Sequence, residues 1–182
     1  RPVFQIEYND LGTVLHSILE LSLIEYRNAI RQVSGQEEKR RVHQEFAERD
    51  FRLWAKDLFD QASLKEQTIL TKDTAFIMNA GNKILRIASH SLPEIIRSIS
   101  PDEFEPKEME WVFGKDGNNP LEIRLSPDRV IHFSGTIDRV DLDESSHSFR
   151  IIDYKSGDKH VDYPAMYQGL SVQLPAYLHA YA

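Results

Sequence analysis

With 182 residues, 41% of them hydrophobic and 28% charged, the chain is long enough to bury one ordinary core without disulfides or structural metals. No apolar run approaches the roughly 18–20 residues that span a bilayer, and the absence of cysteine excludes a disulfide framework. The formal charge of −7 counts against nucleic-acid binding through overall charge, but leaves room for a site that needs carboxylates.

From Asp10 to about Ser100 the apolar residues recur at helical spacings of three and four. Leu11, Val14, Leu15, Ile18, Leu19 and Leu23 form one stretch, Phe46, Phe51, Trp54 and Leu58 a second, and Ile77, Ile84, Leu85, Ile87 and Ile95 a third. Asp10 is expected to cap the first helix and Asp73 the third, because a short acidic side chain accepts from the free N–H groups of an opening turn. Ser34-Gly35 marks the break between the first two helices. The mixed-sign run Glu37-Glu38-Lys39-Arg40-Arg41 is read as a solvated helix face and not as a nucleic-acid patch.

Beyond Ser100 the pattern changes. Pro101 and Pro106 bracket a helix stop, and short β-branched or aromatic segments follow at Glu108–Phe113, Leu121–Leu125, Val130–Leu142 and Ser148–Tyr154. Turn residues separate them, at 115–120, at Ser126-Pro127-Asp128 and at Asp143-Glu144-Ser145-Ser146, so an antiparallel meander is expected. A last helix from about Tyr167 to Tyr181 carries Pro175 near its first turns or at a kink. The whole is expected to be a single domain, with a helical part over 1–100 and a sheet and closing helix over 101–182. The chain opens on Arg1 instead of methionine and stops at Tyr181-Ala182 within a helical pattern, so a fragment of a larger protein is expected. It shows no signal-peptide layout, which with the lack of cysteine fits a cytoplasmic protein without a membrane partner.

The chemistry concentrates in two neighbouring strands, Gly135-Thr136-Ile137-Asp138-Arg139-Val140-Asp141 and Ile151-Ile152-Asp153-Tyr154-Lys155-Ser156-Gly157. Side chains on a strand alternate, so Asp153 and Lys155 share one face while Ile152 and Tyr154 take the other. If Asp138 lies opposite, two carboxylates and an ammonium converge. Such a set suits metal-assisted phosphodiester hydrolysis: oxygen ligands hold Mg²⁺ or Mn²⁺, and a lysine positions water and stabilises developing charge. An Asp-x-Lys pair on a strand is also compatible with a surface salt-bridge ladder. Gly135 would admit another backbone or a ligand at close range. Gln173 and Tyr177 stand four apart on a helix, where they could contact a DNA strand or orient the lysine. His16, among apolar neighbours, reads either as a core histidine or as a ligand.

Gly12-x-x-x-His16, Gly135-x-x-Asp138-Arg139-x-Asp141, Asp153-Tyr154-Lys155-x-Gly157 and Gln173-Leu174-x-x-Tyr177, in that order, resemble the RecB-type branch of the PD-(D/E)XK nuclease superfamily. Within that branch the chain is most similar to the C-terminal nuclease domains of the AddB subunits of AddAB helicase-nucleases. The resemblance implies an α/β (α+β mixed) fold, with a helical N-terminal half packed on a small mixed β-sheet around a restriction-endonuclease-like core. It implies Asp138 and Asp153 as metal ligands, Lys155 as the catalytic lysine, His16 as a further ligand, and Gln173 and Tyr177 as members of the motif after the catalytic strand. Glu110 falls where relatives often carry a glutamate on the first strand. The implied function is an exonuclease-type deoxyribonuclease in DNA end processing and recombinational repair, with DNA and a helicase subunit or domain as partners. AddB-type domains typically carry four cysteines around an iron–sulfur cluster, at positions just outside Arg1 and Ala182; truncation explains their absence as well as true loss does, so the cluster is open to the full-length protein and not to this cysteine-free chain. The alternatives are a catalytically inactive DNA-binding or scaffold module and a stand-alone viral or CRISPR-linked nuclease. Against the first, Asp138, Asp153 and Lys155 are all present.

Overall fold

The computed structural model describes residues 8–65, 75–114, 121–155, 164, 166, 168 and 171–182, with side chains from residue 12 and, after the first break, from residue 79. The expected cap Asp73, the turn at 115–120, Gly157 and the expected helix start at Tyr167 lie outside the described residues. Two compact units are present, Arg1–Glu105 and Pro106–Ala182.

The first unit is helical: α1 (Tyr8–Arg31), α2 (Gln36–Ala47), α3 (Phe51–Lys65) and α4 (Ala75–Arg97). In α4 every fourth residue from Ala80 through Ile84, Ala88 and Leu92 to Ile96 is buried, the stripe that a 3.6-residue period turns toward a core. That stripe includes two alanines and differs from the expected one, since Leu85, Ile87 and Ile95 are only half-buried. Tyr26, Phe46 and Trp54 join the first three helices edge to face, with ring centroids 5.2 and 5.6 Å apart.

Two boundaries differ from expectation. Asp10 lies inside α1, whose helical backbone is already formed at Tyr8. The macrodipole favours an acidic residue throughout a first turn, so its presence does not separate cap from turn. The stretch from Phe46 to Leu58 is two helices, because Asp50 Oδ1 accepts from the N–H groups of Arg52 at 3.0 Å and Leu53 at 3.1 Å and so starts α3. The run Glu37–Arg41 directs its cations to intramolecular partners, Lys39 to Glu105 and Arg40 to Asp102.

The second unit holds β1 (Glu105–Phe113) from its second residue on, β2 (Leu121–Ser126), β3 (Arg129–Phe133), β4 (Gly135–Asp143), β5 (Ser148–Ile152) and α5 (Gln173–Tyr181). Its strands do not form one meander. The expected strand Val130–Leu142 breaks at Ser134; β2 and β3 pair as a separate antiparallel ribbon, and the other sheet has the order β1-β4-β5, with β4 and β5 antiparallel. The break is a corner crossed by the end of β1. A Cβ on Gly114 (φ +72) would lie 2.2 Å from the Phe133 carbonyl oxygen and 2.7 Å from Ser134 Cα, so backbone meets backbone there and only glycine fits. Pro106 is the second residue of β1, an edge strand, where a missing N–H need not break a ladder. Pro175 falls in the first turn of α5, where amides have no intrahelical partner.

Central strand β4 has Ile137 and Val140 fully buried, and with Phe113, Leu121 and Tyr177 they form the core of this unit. Gly135 makes room for aromatic rings and not for a ligand: its added Cβ would meet Phe113 Cε1 at 2.9 Å and Tyr177 Cε1 at 3.4 Å. Gly135→Ala is therefore expected to lower stability by about 1–3 kcal/mol through overpacking. Urea unfolding measures it, and an unchanged midpoint would mean that the Phe113 ring yields freely. Among the described residues no helix is long and apolar enough to cross a membrane.

Candidate active site

The register of β4 against β5 determines which side chains meet. Val140 faces Ile151, Arg139 faces Ile152 and Asp141 faces Arg150. Alternation puts Asp138 on the face of Val140, and Asp153 on the face of Ile151, so both carboxylates belong to one side of the sheet. Carried one step past Arg139 and Ile152, the same register sets Asp138 opposite Asp153. Helix α5 packs on this side, with Tyr181 5.1 Å from the Phe149 ring and Tyr177 5.8 Å from the Phe113 ring.

Hydrogen bonding ends at Ile152, two residues before the expected strand end. Past that point the Tyr154 N–H donates 2.6 Å to Asp138 Oδ2. A side chain thus accepts from the second amide after the strand, and Asp138, only 9% exposed, has one oxygen held by a backbone donor.

Lys155 and Asp153, two residues apart on an extended chain, pair at 2.6 Å. Gln173, the first residue of α5, bridges them: its Oε1 accepts from Lys155 Nζ at 3.3 Å and its Nε2 donates to Asp153 Oδ1 at 3.0 Å. The second Nε2 hydrogen goes to the Tyr177 hydroxyl at 2.9 Å. Tyr177 is buried in the core, so it acts as the fixed end of this chain of bonds and reaches the acid–lysine pair through Gln173.

Glu110 enters the site through its backbone. It has φ +49 within β1, a left-handed conformation rare for a residue with a side chain and one that breaks strand alternation as a bulge does. Its carboxylate comes within 4.8 Å of that of Asp138. Asp153 does not complete a three-carboxylate group with them at that spacing; Lys155 and Gln173 engage it instead.

The opposite face of β4 and β5 carries a buried charge cluster. Arg139, 1% exposed, donates from Nε and Nη2 to the two oxygens of fully buried Asp141, each at 2.6 Å, and Arg150 adds a bond to Asp141 Oδ2 at 2.8 Å. Tyr154 turns its hydroxyl to Arg139 Nη1 at 3.5 Å. Burial works against the Arg139 charge, but the bonds to Asp141 and the charges around it outweigh that and leave its pKa above the ordinary value. Burial raises the Tyr154 hydroxyl pKa, only partly offset by Arg139, so Tyr154 stays neutral.

Of the expected site residues, Asp138, Asp153, Lys155, Gln173 and Tyr177 all belong to the second unit and to one side of its sheet. His16 is half-buried on α1 in the first unit. The sequence reading did not assign roles to Arg139 and Asp141, although their i, i+2 spacing on a strand was the available signal.

The sequence profile of the PD-(D/E)XK nuclease superfamily matches residues 2–182. The chain is 32% identical over 185 residues to the AddB-type ATP-dependent helicase/deoxyribonuclease subunit of Clostridium tetani, and 30% over 190 residues to that of Clostridium botulinum strain Loch Maree. To the corresponding protein of Alkaliphilus oremlandii it is 27% identical over 183 residues. Each likeness covers 99% of this chain, which spans 15% of the length of these curated relatives. The similarity to AddB-type proteins expected from the four motifs is thereby met.

Proposed function

We propose, on the premise that the chain belongs to the PD-(D/E)XK nuclease superfamily, that it is a divalent-metal-dependent deoxyribonuclease that degrades DNA from ends. The observation that carries this reading is the convergence of Asp138, Asp153, Lys155 and Gln173 on one side of the sheet. Members of this superfamily use divalent metals, and the donor set here fits one, since Glu110 and Asp138 offer hard carboxylate oxygens within 4.8 Å of each other. Asp138 and Asp153 would hold Mg²⁺ or Mn²⁺, with Glu110 beside them and His16 as a further ligand.

When bound, the cation supplies positive charge against the scissile phosphate and makes water easier to deprotonate. The protein groups do the rest. The Lys155 ammonium stabilises charge that develops on the phosphate and positions the attacking water, while Gln173 fixes the lysine in direction. Tyr177 fixes Gln173. Because the relatives are named as helicase/deoxyribonuclease subunits, the reading extends to a helicase that feeds DNA to this site during end processing and recombinational repair. An iron–sulfur cluster, where the full-length protein has one, would be held by cysteines that this chain lacks.

Incubating the chain with end-labelled linear and covalently closed circular DNA tests the reading. Linear DNA should be degraded with Mg²⁺ or Mn²⁺ and spared with EDTA or with Ca²⁺, which takes more ligands at longer distances and is the weaker Lewis acid. The circle should survive throughout. Full cutting in EDTA would remove the metal from the mechanism, and cutting of the circle would remove the requirement for ends.

A further inference from the structure

Tyr154 joins the two faces of the sheet. Its amide donates to Asp138 Oδ2 at 2.6 Å on the side of the candidate site, while its hydroxyl meets Arg139 Nη1 at 3.5 Å within the buried cluster on the other. Arg139 cannot swing to follow a moving tyrosine. Two bonds of 2.6 Å fasten it to Asp141, a third bond from Arg150 fastens Asp141, and both members of the central pair are out of water. Tyr154 lies two residues past Ile152, the last residue of β5, and its amide is held by a side chain of β4, that of Asp138. Its chain neighbours Asp153 and Lys155 are bridged by Gln173 on the side of the candidate site, so the Tyr154 ring holds the same short segment from the other side.

We propose that Tyr154 is a positioning residue for the metal-binding carboxylate Asp138 and for the Asp153–Lys155 pair, anchored by the buried Arg139–Asp141–Arg150 cluster. With its ring held on one face, the 154 amide stays directed at Asp138, and residues 153 and 155 are turned together toward Gln173. The arrangement is the backbone counterpart of the outer groups that orient metal-ligating side chains. It rests on the reading of Asp138 as a metal ligand, but the orientation of Asp138 by the 154 amide can be measured without metal.

Tyr154→Phe and Tyr154→Ala, in the same chain, are the test. Amide exchange at position 154 is followed by NMR, with the amides of Val140 and Ile151 as internal controls, and Mn²⁺ binding is followed by titration calorimetry. Exchange at 154 should accelerate about threefold in the phenylalanine variant and about tenfold or more in the alanine variant, and the Mn²⁺ Kd should rise in the same order by about the factors expected for lost outer contacts. The control amides should hold. Unchanged exchange at 154 overturns the proposal, and so does an acceleration shared equally by Val140 and Ile151, which assigns the cluster to stability alone. If the unsubstituted chain takes up no Mn²⁺, the metal reading fails, and the exchange data still decide whether Tyr154 positions Asp138. If the alanine variant does not fold, the phenylalanine variant carries the decision.

Discussion

Lys155→Ala should cut end-labelled linear DNA about a hundredfold or more slowly than the unsubstituted chain, the loss expected when a group that positions water and stabilises developing charge is removed. Its urea midpoint should barely move, since the Lys155 side chain is 39% exposed and exposed ion pairs contribute little. A second effect has the opposite sign. The Lys155 ammonium stands 2.6 Å from Asp153 and acts as its internal counterion, so an incoming cation has to displace it. Without the lysine, Asp153 keeps its full negative charge, and the Mn²⁺ Kd should fall while the rate falls too. Single-turnover rates beside a Mn²⁺ titration read both quantities. Cutting at a near-normal rate would reduce the Asp153–Lys155 pair to a surface ion pair.

Asp141→Ala should be the most destabilising single substitution in the sheet, at about 3–5 kcal/mol, the cost of leaving a buried charge without its partner. Asp141 is fully buried and receives both Arg139 bonds and one from Arg150, whereas Arg139 has only Tyr154 as its other partner with a described bond. The arginine cannot escape by losing its proton, because its pKa lies above an already high ordinary value. Urea unfolding of the variant gives the number. A loss below about 1 kcal/mol would mean that water reaches Arg139 when Asp141 is gone.

Much of the candidate site was legible because alternation along a strand is rigid. Asp153 and Lys155 share a face in any extended chain, and the matching side of Asp138 needed only the correct partner strand. The Gln173–Tyr177 bond likewise follows from an i, i+4 spacing on one helix face, whereas the bonds of Gln173 to Asp153 and Lys155 depend on where that helix packs. What could not be read depends on where chains cross. The corner at Ser134 is set by the Gly114 backbone passing over Phe133, a contact between residues about twenty positions apart; Ser134-Gly135 is a Ser-Gly pair like the one that marks the first helix break, but inside a β-branched run it reads through as strand. Past the end of β5 at Ile152 a side chain, that of Asp138, takes the Tyr154 amide in place of a strand partner. Glu110 reaches Asp138 through a left-handed φ that no local sequence demands, so a regular strand would have directed it elsewhere. Arg139 and Asp141 were within reach of the same alternation argument. They escaped it because charged residues in strands ordinarily face water.

In the β2–β3 ribbon, Ile123 sits opposite Ile131, and Leu125 stands at the register shift beyond them. These side chains are 42%, 42% and 61% exposed, so the ribbon carries an oily wing in water. A register shift between Arg124 and Ser126 roughens its outline, and among the described residues no third strand pairs with the ribbon. The colloidal behaviour of the polypeptide follows from two opposing ranges. A net charge of −7 holds copies apart at distances of about a Debye length, roughly 10 Å at 0.1 M salt, while the wing attracts only at contact. Added salt shortens the repulsion without touching the attraction.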